Sequence, residues 1–373
     1  MGSPKILVAP LDWGLGHATR CIPIVNELIR QGCEIWIAAG GNGYFLLREQ
    51  FPQLPVLLLE GYNVSYHKAK SKFWWTLVRQ VPKIISAVIA EHRWLSDKMK
   101  EFNFDIVITD NRYGLYSARA YSVFMTHQLY IKTGLGRWAD RVVRWINYRL
   151  INRHNECWVP DFDDKINLAG VLSHPKSYPR KVKYIGALSR FERKTETKVY
   201  DLMVVLSGPE PRRTIWEELM LDQLSRYKGK VLIVRGLPGD ATPLNSSGDV
   251  IAVNFLPAEK LNTAIEQSDW IICRSGYSSV MDLITLQHKA ILIPTPGQPE
   301  QEYLAKWLHQ NELFYTCEES RFDVNRCLEE ARSFPYKFSK FNDRCAPGVP
   351  AVVEFIQKHK LRFARLSGKR TEG

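Results

Sequence analysis

KILVAPLDWGLGHATRCIPIVNEL, residues Lys5 to Leu28, changes its period halfway along. The run Lys5-Ile-Leu-Val-Ala9 reads as a short strand buried on both faces. Further on, apolar residues recur at Ile22, Val25, Leu28 and Ile29, which is helical spacing. Gly14, Gly16 and His17 lie between the two patterns. A glycine-flanked histidine therefore stands where a strand ends and a helix begins, the place where open α/β sheets bind ligands.

Working outward, the same alternation continues. Strands are predicted at 5–9, 33–39, 55–59, 105–109, 123–126, 156–159 and 182–186. Helices are predicted at 18–30, 72–91, 93–101, 114–121 and 138–153. The stretch LSRFERKTETKV near 188–199 is polar and charged and reads as a linker. The pattern then restarts, with strands at 201–206, 230–235, 249–255, 270–274 and 289–293 and helices at 211–226, 257–267, 277–287 and 299–310. These strands are short and rich in Val, Ile and Leu, as parallel strands are. The expected division is an α/β domain at 1–188, a linker at 189–199, a second α/β domain at 200–345, and a C-terminal helix with a basic tail at 346–373, the helix packing back on the first domain.

The chain has 373 residues, enough for two domains, and 45% of them are hydrophobic. No run reaches the roughly 18 apolar residues that span a membrane. The start has no signal-peptide pattern. The seven cysteines form no C-x-x-C pair; a reduced, cytoplasmic protein without a structural zinc site is expected. The formal charge of +12 favours an anionic partner.

Three segments of the second half carry candidate chemistry. Arg274-Ser275-Gly276-Tyr277-Ser278 joins a buried strand to a helix, where Gly276 admits a ligand and N–H groups and the hydroxyls of Ser275 and Ser278 suit phosphate oxygens. Asp282, farther along that helix, suits ribose hydroxyls. A small-residue helix start with an exposed Asp is the plain alternative. Pro294 to Tyr303 places Glu300, Gln301 and Glu302 at a strand's carboxyl end, suiting a sugar, or simply capping a helix. Ser207-Gly208 closes the first strand of this half, and Arg212 or Arg213 beyond it suits a diphosphate. No Walker loop and no G-x-G-x-x-G is present.

As an ordered set these segments resemble the nucleotide-sugar domain of GT-B glycosyltransferases, closest to the MurG-like family (glycosyltransferase family 28). Arg274-Ser275-Gly276 with Asp282, and Pro294 with Gln301, match its donor motifs. The resemblance implies two Rossmann-like domains facing each other across a cleft. It implies that Asp282 holds the ribose, that Gln301 contacts the donor sugar, and that Asn254-Phe255-Leu256 forms the base-binding segment. This chain departs from the family pattern in having Asp282 in place of Glu, Glu302 in place of a second Gln, and Ser207-Gly208-Pro209-Glu210-Pro211 in place of the G-G-S-x-G turn.

In the family a G-x-G-H loop ends the first strand of the acceptor domain, and here it is Gly14-Leu15-Gly16-His17. An imidazole, with an ordinary pKa near 6.5, can take a proton from an acceptor hydroxyl. A base needs an orienting partner. Asp110 ends the strand pattern of 105–109, where plant-type GT-B enzymes also place an aspartate, and His17–Asp110 is nominated as a dyad. Asp110 capping a helix near Gly114 is the alternative, and Asp12 the rival partner. His127 ends another strand on the same side and would line the acceptor or diphosphate pocket.

Two basic segments remain. Lys72, Phe73, Trp74, Trp75 and Arg79 lie in one. Arg137, Arg141, Arg144, Arg149 and Arg153 lie in the other, among Trp138, Val142, Trp145, Ile146 and Tyr148. Cations interleaved with aromatics suit an anionic membrane interface, or single-stranded nucleic acid, or a solvated helix face. The resemblance tips this toward lipid, because MurG-like relatives act on lipid-linked acceptors. The expectation is an inverting glycosyltransferase that needs no metal or cofactor. It would use a UDP-sugar, with UDP-N-acetylglucosamine the first candidate. The acceptor would be a glycolipid, lipopolysaccharide or other cell-envelope lipid at the inner face of the cytoplasmic membrane, and no nucleic acid is expected as partner. A non-hydrolysing UDP-N-acetylglucosamine 2-epimerase and a non-catalytic nucleic-acid binder are the rivals.

Overall fold

The structure, a computed structural model, describes residues 3–62, 73–133, 136–237, 249–342, 344–345 and 348–359, and for 73–81 the backbone alone. Lys72 and the side chains of Phe73, Trp74, Trp75 and Arg79 lie outside the described residues. The chain forms two compact units, one from the described residues within Met1–Ser65, Trp74–Leu188 and Ala346–Gly373, the other from Ser189–Cys345.

The first unit is built on β1 (Lys5–Pro10), β2 (Glu34–Ala39), β3 (Val56–Leu58), β4 (Ile106–Asp110), β5 (Tyr121–Met125), β6 (Glu156–Val159) and β7 (Val182–Tyr184). They form one parallel sheet in the order β3-β2-β1-β4-β5-β6-β7. Helices α1 (Leu15–Arg30), α2 (Gly41–Gln50), α3 (Phe73–Phe102) and α4 (Arg137–Ile151) accompany it. Leu7, Ala9, Ala38 and Val107 from the strands meet Leu95 and Met99 of α3 in a buried cluster. Each Leu, Val or Met side chain of this cluster, fully buried, contributes about 1.5–3 kcal/mol. The helix over 350–359 belongs to this unit: Phe355 meets Trp158 edge-on, with ring centres 5.1 Å apart.

The second unit carries β8 (Tyr200–Val205), β9 (Val231–Val234), β10 (Val250–Val253), β11 (Ser268–Arg274), β12 (Ala290–Ile293) and β13 (Tyr315–Thr316). Their parallel order is β10-β9-β8-β11-β12-β13. Helices α5 (Arg212–Leu224), α6 (Ala258–Glu266), α7 (Tyr277–Leu286), α8 (Pro299–Gln310) and α9 (Val324–Ser333) follow in turn. Trp216 and Met220 of α5 pack on Val204, Ile233 and Ile272 in its core. In both sheets the winding direction reverses beside the first strand, between β1 and β4 and between β8 and β11. The crevice at such a switch point is the usual ligand site of an open α/β sheet.

Two expectations are corrected. Residues 114–120 form turns, not a helix, and 121–125 is β5. Gly114 donates its N–H to Glu91 Oε2 at 3.0 Å, and a Cβ there would lie 2.3 Å from the carbonyl oxygen of Val88, so α3 presses directly on this backbone. Asp110 therefore caps no helix at Gly114. The separate helices expected at 72–91 and 93–101 are one, α3. Helices α2 and α9 and strand β13 were not anticipated. Among the described residues no helix is long and apolar enough to cross a membrane.

Candidate active site

Lys5–Pro10 pairs in parallel with β4, and the register sets Pro10 opposite Asp110. The loop leaving β1 turns at Gly14, whose φ of 77° is costly for any residue with a Cβ, and α1 starts immediately after it. His17 falls in the first turn of α1, above the end of β4. Its Nδ1 lies 2.9 Å from Asp110 Oδ2. The sequence-nominated pair thus meets, across 93 residues of chain, because β1 and β4 are neighbours at the switch point.

A third residue, absent from the sequence reading, organises the pair. Arg20 is buried and donates from Nε to Asp110 Oδ2 at 2.6 Å and from Nη2 to Asp110 Oδ1. Its Nη2 also sits 2.8 Å from His17 Nδ1, and its Nη1 3.2 Å from Nδ1 of buried His127. His17, Arg20, Asp110 and His127 form one cluster at the carboxyl ends of β1, β4 and β5. Residues 17 and 20 share a helix face by their three-residue spacing, the available signal for Arg20.

The Asp110 side chain is fully buried, whereas that of His17 keeps 16% exposure. Burial alone would raise the Asp110 carboxyl, but Arg20 first and His17 next outweigh it and hold it well below the usual carboxylate range. Burial, then the charge of Arg20, lowers His17 from its ordinary value, against the opposing pull of Asp110. The result is an ionised carboxylate beside a neutral imidazole. No described residue hydrogen-bonds Nε2 of His17. Gly16 enters α1 and its carbonyl accepts from Thr19 Oγ1 at 3.0 Å. Asp12 makes no hydrogen bond to His17; its carboxylate packs against Gly61, and Oδ1 is buried without a hydrogen-bond partner.

Beneath this site Arg112 is fully buried and ties several strand ends together. It donates to the carbonyls of Pro10 at 2.7 Å and Glu60 at 3.0 Å and to Glu91 Oε1 at 3.0 Å.

In the second unit the loops after β8, β11 and β12 hold the other candidates. Gly276 precedes α7, and a side chain there would meet nothing, so the helix N-terminus is open to a ligand. Ser275 is buried and donates to the carbonyl of Gln301 at 3.0 Å. Gln301 accepts at Oε1 from the Thr295 N–H at 2.9 Å, and Glu302 from Gly297 N–H at 2.8 Å. The second and third sequence motifs are thereby joined. Glu300, Ser278, Arg212, Ser207, Phe255 and Leu256 are half-buried along these loops, and Gly208 is exposed with φ 114°.

Asp282 accepts a 2.6 Å hydrogen bond at Oδ1 from Ser189. Burial pushes its carboxyl up to about 6, with Arg190 and Ser189 pulling the other way. Arg274 departs from the phosphate-facing position expected of it. It is buried, stacked over Trp216 at 4.4 Å and paired with Glu319 at 2.6 Å. A strand's last residue alternates inward or outward with register, and here it points into the domain. Arg213 is likewise committed, to Glu210 and Glu217, and Glu217 also holds Arg235, which reaches Asn254 Oδ1 at 2.8 Å. This buried chain of charges braces the segment leading to Phe255 and Leu256.

Residues 213–333 match the glycosyltransferase family 28 C-terminal domain, and residues 5–127 match a glycosyl transferase family 1 domain. No curated protein matches the chain. Among solved structures, MurG from Acinetobacter baumannii is similar at 17% identity and a TM-score of 0.58, covering 96% of this chain and 100% of that one. The glycosyltransferase of kitacinnamycin is similar at 13% identity and 0.61, covering 99% of each chain. The spinosyn rhamnosyltransferase SpnG, complexed with thymidine diphosphate, is similar at 13% identity and 0.55, covering 94% of this chain and 92% of that one. The two parallel-sheet domains and their matches define the class: the chain is a GT-B glycosyltransferase. Its second unit carries the family 28 C-terminal domain.

Proposed function

We propose that this glycosyltransferase is inverting and metal-independent, and moves a sugar, with N-acetylglucosamine the first candidate, from a UDP-sugar to a hydroxyl of a lipid-linked acceptor. The observation that carries the reading is the 2.9 Å contact of His17 Nδ1 with buried Asp110, which leaves the other ring nitrogen on the exposed side. With Nδ1–H donating to Asp110, Nε2 of His17 takes the proton of the acceptor hydroxyl. The acceptor oxygen then bonds to the anomeric carbon as the bond from that carbon to the diphosphate oxygen breaks. One displacement inverts the carbon and releases UDP. The N-terminus of α7 and the Ser207-Gly208 turn face the leaving diphosphate, and preorganised N–H dipoles of this kind supply the charge stabilisation. Arg274 acts indirectly, by fixing the end of β11, from which the N-terminus of α7 springs. Asp282 holds the ribose through its second oxygen, and Gln301 turns its amide toward the sugar.

The acceptor class rests on α4. Trp138 is 76% exposed and Trp145 63%, with Val142 and Ile146 on the same face. Arg137, Arg141 and Arg149 are exposed alongside. Indoles flanked by guanidiniums fit the interface of an anionic leaflet, so the enzyme works peripherally on the inner face of the cytoplasmic membrane. The neighbour bound to thymidine diphosphate supports a nucleoside-diphosphate donor.

The test is UDP release from a panel of UDP-sugars, with and without a bacterial lipid extract, by wild type and His17→Ala. Release requiring one sugar and the lipid, and lost about 10²–10⁴-fold in the variant, is the expected result. Full activity of a folded His17→Ala protein would dismiss the proposed base. Product formed without any acceptor would indicate an epimerase.

A further inference from the structure

The geometry around His17 contains a choice. Its Nδ1 lies 2.9 Å from Asp110 Oδ2 and 2.8 Å from Arg20 Nη2. One ring nitrogen cannot donate to the carboxylate and accept from the guanidinium at once. With the proton on Nδ1, the ring bonds to Asp110 and the lone pair of Nε2 faces outward. With the proton on Nε2, Arg20 donates to Nδ1 and the outward nitrogen is a donor, useless as a base.

We propose that Arg20 is a positioning residue that selects the proton-accepting form of His17: it clamps both oxygens of Asp110 while crowding Nδ1 with its own charge, leaving the ring neutral with its proton on Nδ1. This rests on the reading of His17 as the base. Two features of the cluster carry it. Arg20 meets both carboxylate oxygens, so Asp110 can turn neither away from Nδ1 nor toward solvent. Nδ1–H to the Asp110 carboxylate is a charge-assisted bond, while Nη2 of Arg20 already donates to Asp110 Oδ1 and competes for Nδ1 only with its second proton. A second cation on the ring would lie against the guanidinium, and the site resists it. The charged and titratable groups facing His17 are Arg20 on its own helix, Asp110 at the end of β4 and His127 beyond β5; Cys21 faces Asp110 and Arg20 from α1. His127 meets the third nitrogen of the same guanidinium, so one arginine sets the orientation of both imidazoles.

The test is ¹⁵N NMR of histidine-labelled protein, with His17 assigned by loss of its signals in His17→Gln. At neutral pH the expected spectrum shows His17 Nδ1 protonated and Nε2 bare. In Arg20→Gln the midpoint of His17 titration rises to or above the ordinary value of about 6.5, and the acid limb of the transfer rate moves with it. Arg20→Lys keeps the charge and loses the clamp; it retains the low midpoint but shows a mixture of tautomers. A wild-type ring protonated on Nε2, or on both nitrogens, would overturn the proposal without any variant having to fold. So would a midpoint unchanged in Arg20→Gln. Loss of the base reading is seen separately, as transfer that survives His17→Ala.

Discussion

Replacing Asp110 by Asn tests the cluster most sharply, because it changes charge at constant shape. The carboxylate is fully buried and accepts from Arg20 at both oxygens and from His17 at one. In Asp110→Asn one oxygen becomes an NH₂ that meets either the guanidinium or the imidazole, and the charge of Arg20 stays buried without its counter-ion. Breaking such a buried pair from one side costs about 3–5 kcal/mol, and the surviving amide oxygen places this case at the lower end, about 3 kcal/mol. At about 2–4 °C per kcal/mol for a domain of this size, the first unit should lose roughly 6–12 °C of thermal midpoint. The pH dependence gives a second reading. Folding depresses the Asp110 carboxyl, so its contribution is present above its unfolded value, about 3.9, and lost as pH falls toward the folded one. His17, also depressed, adds a loss that begins as pH falls below about 6.5. The variant keeps the second limb and lacks the first. Calorimetric scans between about pH 3 and pH 8 separate the two. Transfer, assayed well below the transition, should fall about 10²–10⁴-fold. A midpoint within about 1 °C of wild type, with activity retained, would refute both the buried ion pair and the orienting role.

Asp282→Asn is expected to act with the opposite sign. Because folding raises this carboxyl to about 6, its contribution favours the fold at low pH and is lost as pH rises through that value. The midpoint of the variant relative to wild type should therefore improve between about pH 4.5 and pH 7.5, while UDP affinity by calorimetry falls about 10–100-fold. An unchanged UDP affinity would remove Asp282 from the ribose. For α4, Trp138→Ala and Trp145→Ala should each weaken binding to phosphatidylglycerol-rich vesicles about tenfold, with little effect on stability, since both indoles already face solvent. Sedimentation with vesicles that ignores these residues, or that is equal on neutral lipid, would count against the membrane face.

The sequence made the strand-loop-helix rhythm readable because parallel strands buried on both faces are uninterrupted apolar runs. His17 and Asp110 were visible because each stands where such a run stops. Arg20 was not, although it lies three residues from His17: an arginine in a sequence reads as a solvated charge, and only the fold shows that its surroundings are Asp110 and His127. The same blindness applies to Arg112 and Arg235. Arg274 failed in the other direction. Its motif position suggested a phosphate, but the register of β11 sends its side chain to Trp216 and Glu319. The helix expected at 114–121 failed because the contact of Gly114 with α3, distant in sequence, overrides local preference.

The buried arginines share a physical purpose. A buried ion pair is seldom worth more than well-packed hydrophobic side chains of the same volume, so stability does not explain them. Orientation does. Arg112 holds the backbone at Pro10 and Glu60, the exits of β1 and β3. Arg235 and Glu217 hold Asn254, the exit of β10. Arg20 holds Asp110, the last residue of β4. Each fixes a strand's carboxyl end, where the loops carrying the candidate site residues begin. A loop carrying a base must keep it within about 0.5 Å of its working position. Apolar packing beneath such a loop fills space without fixing a direction, whereas a guanidinium with several fixed acceptors does both. By this logic the arginines under the two sheet crevices serve the proposed transfer reaction by holding its loops in place, although none of them need touch either substrate.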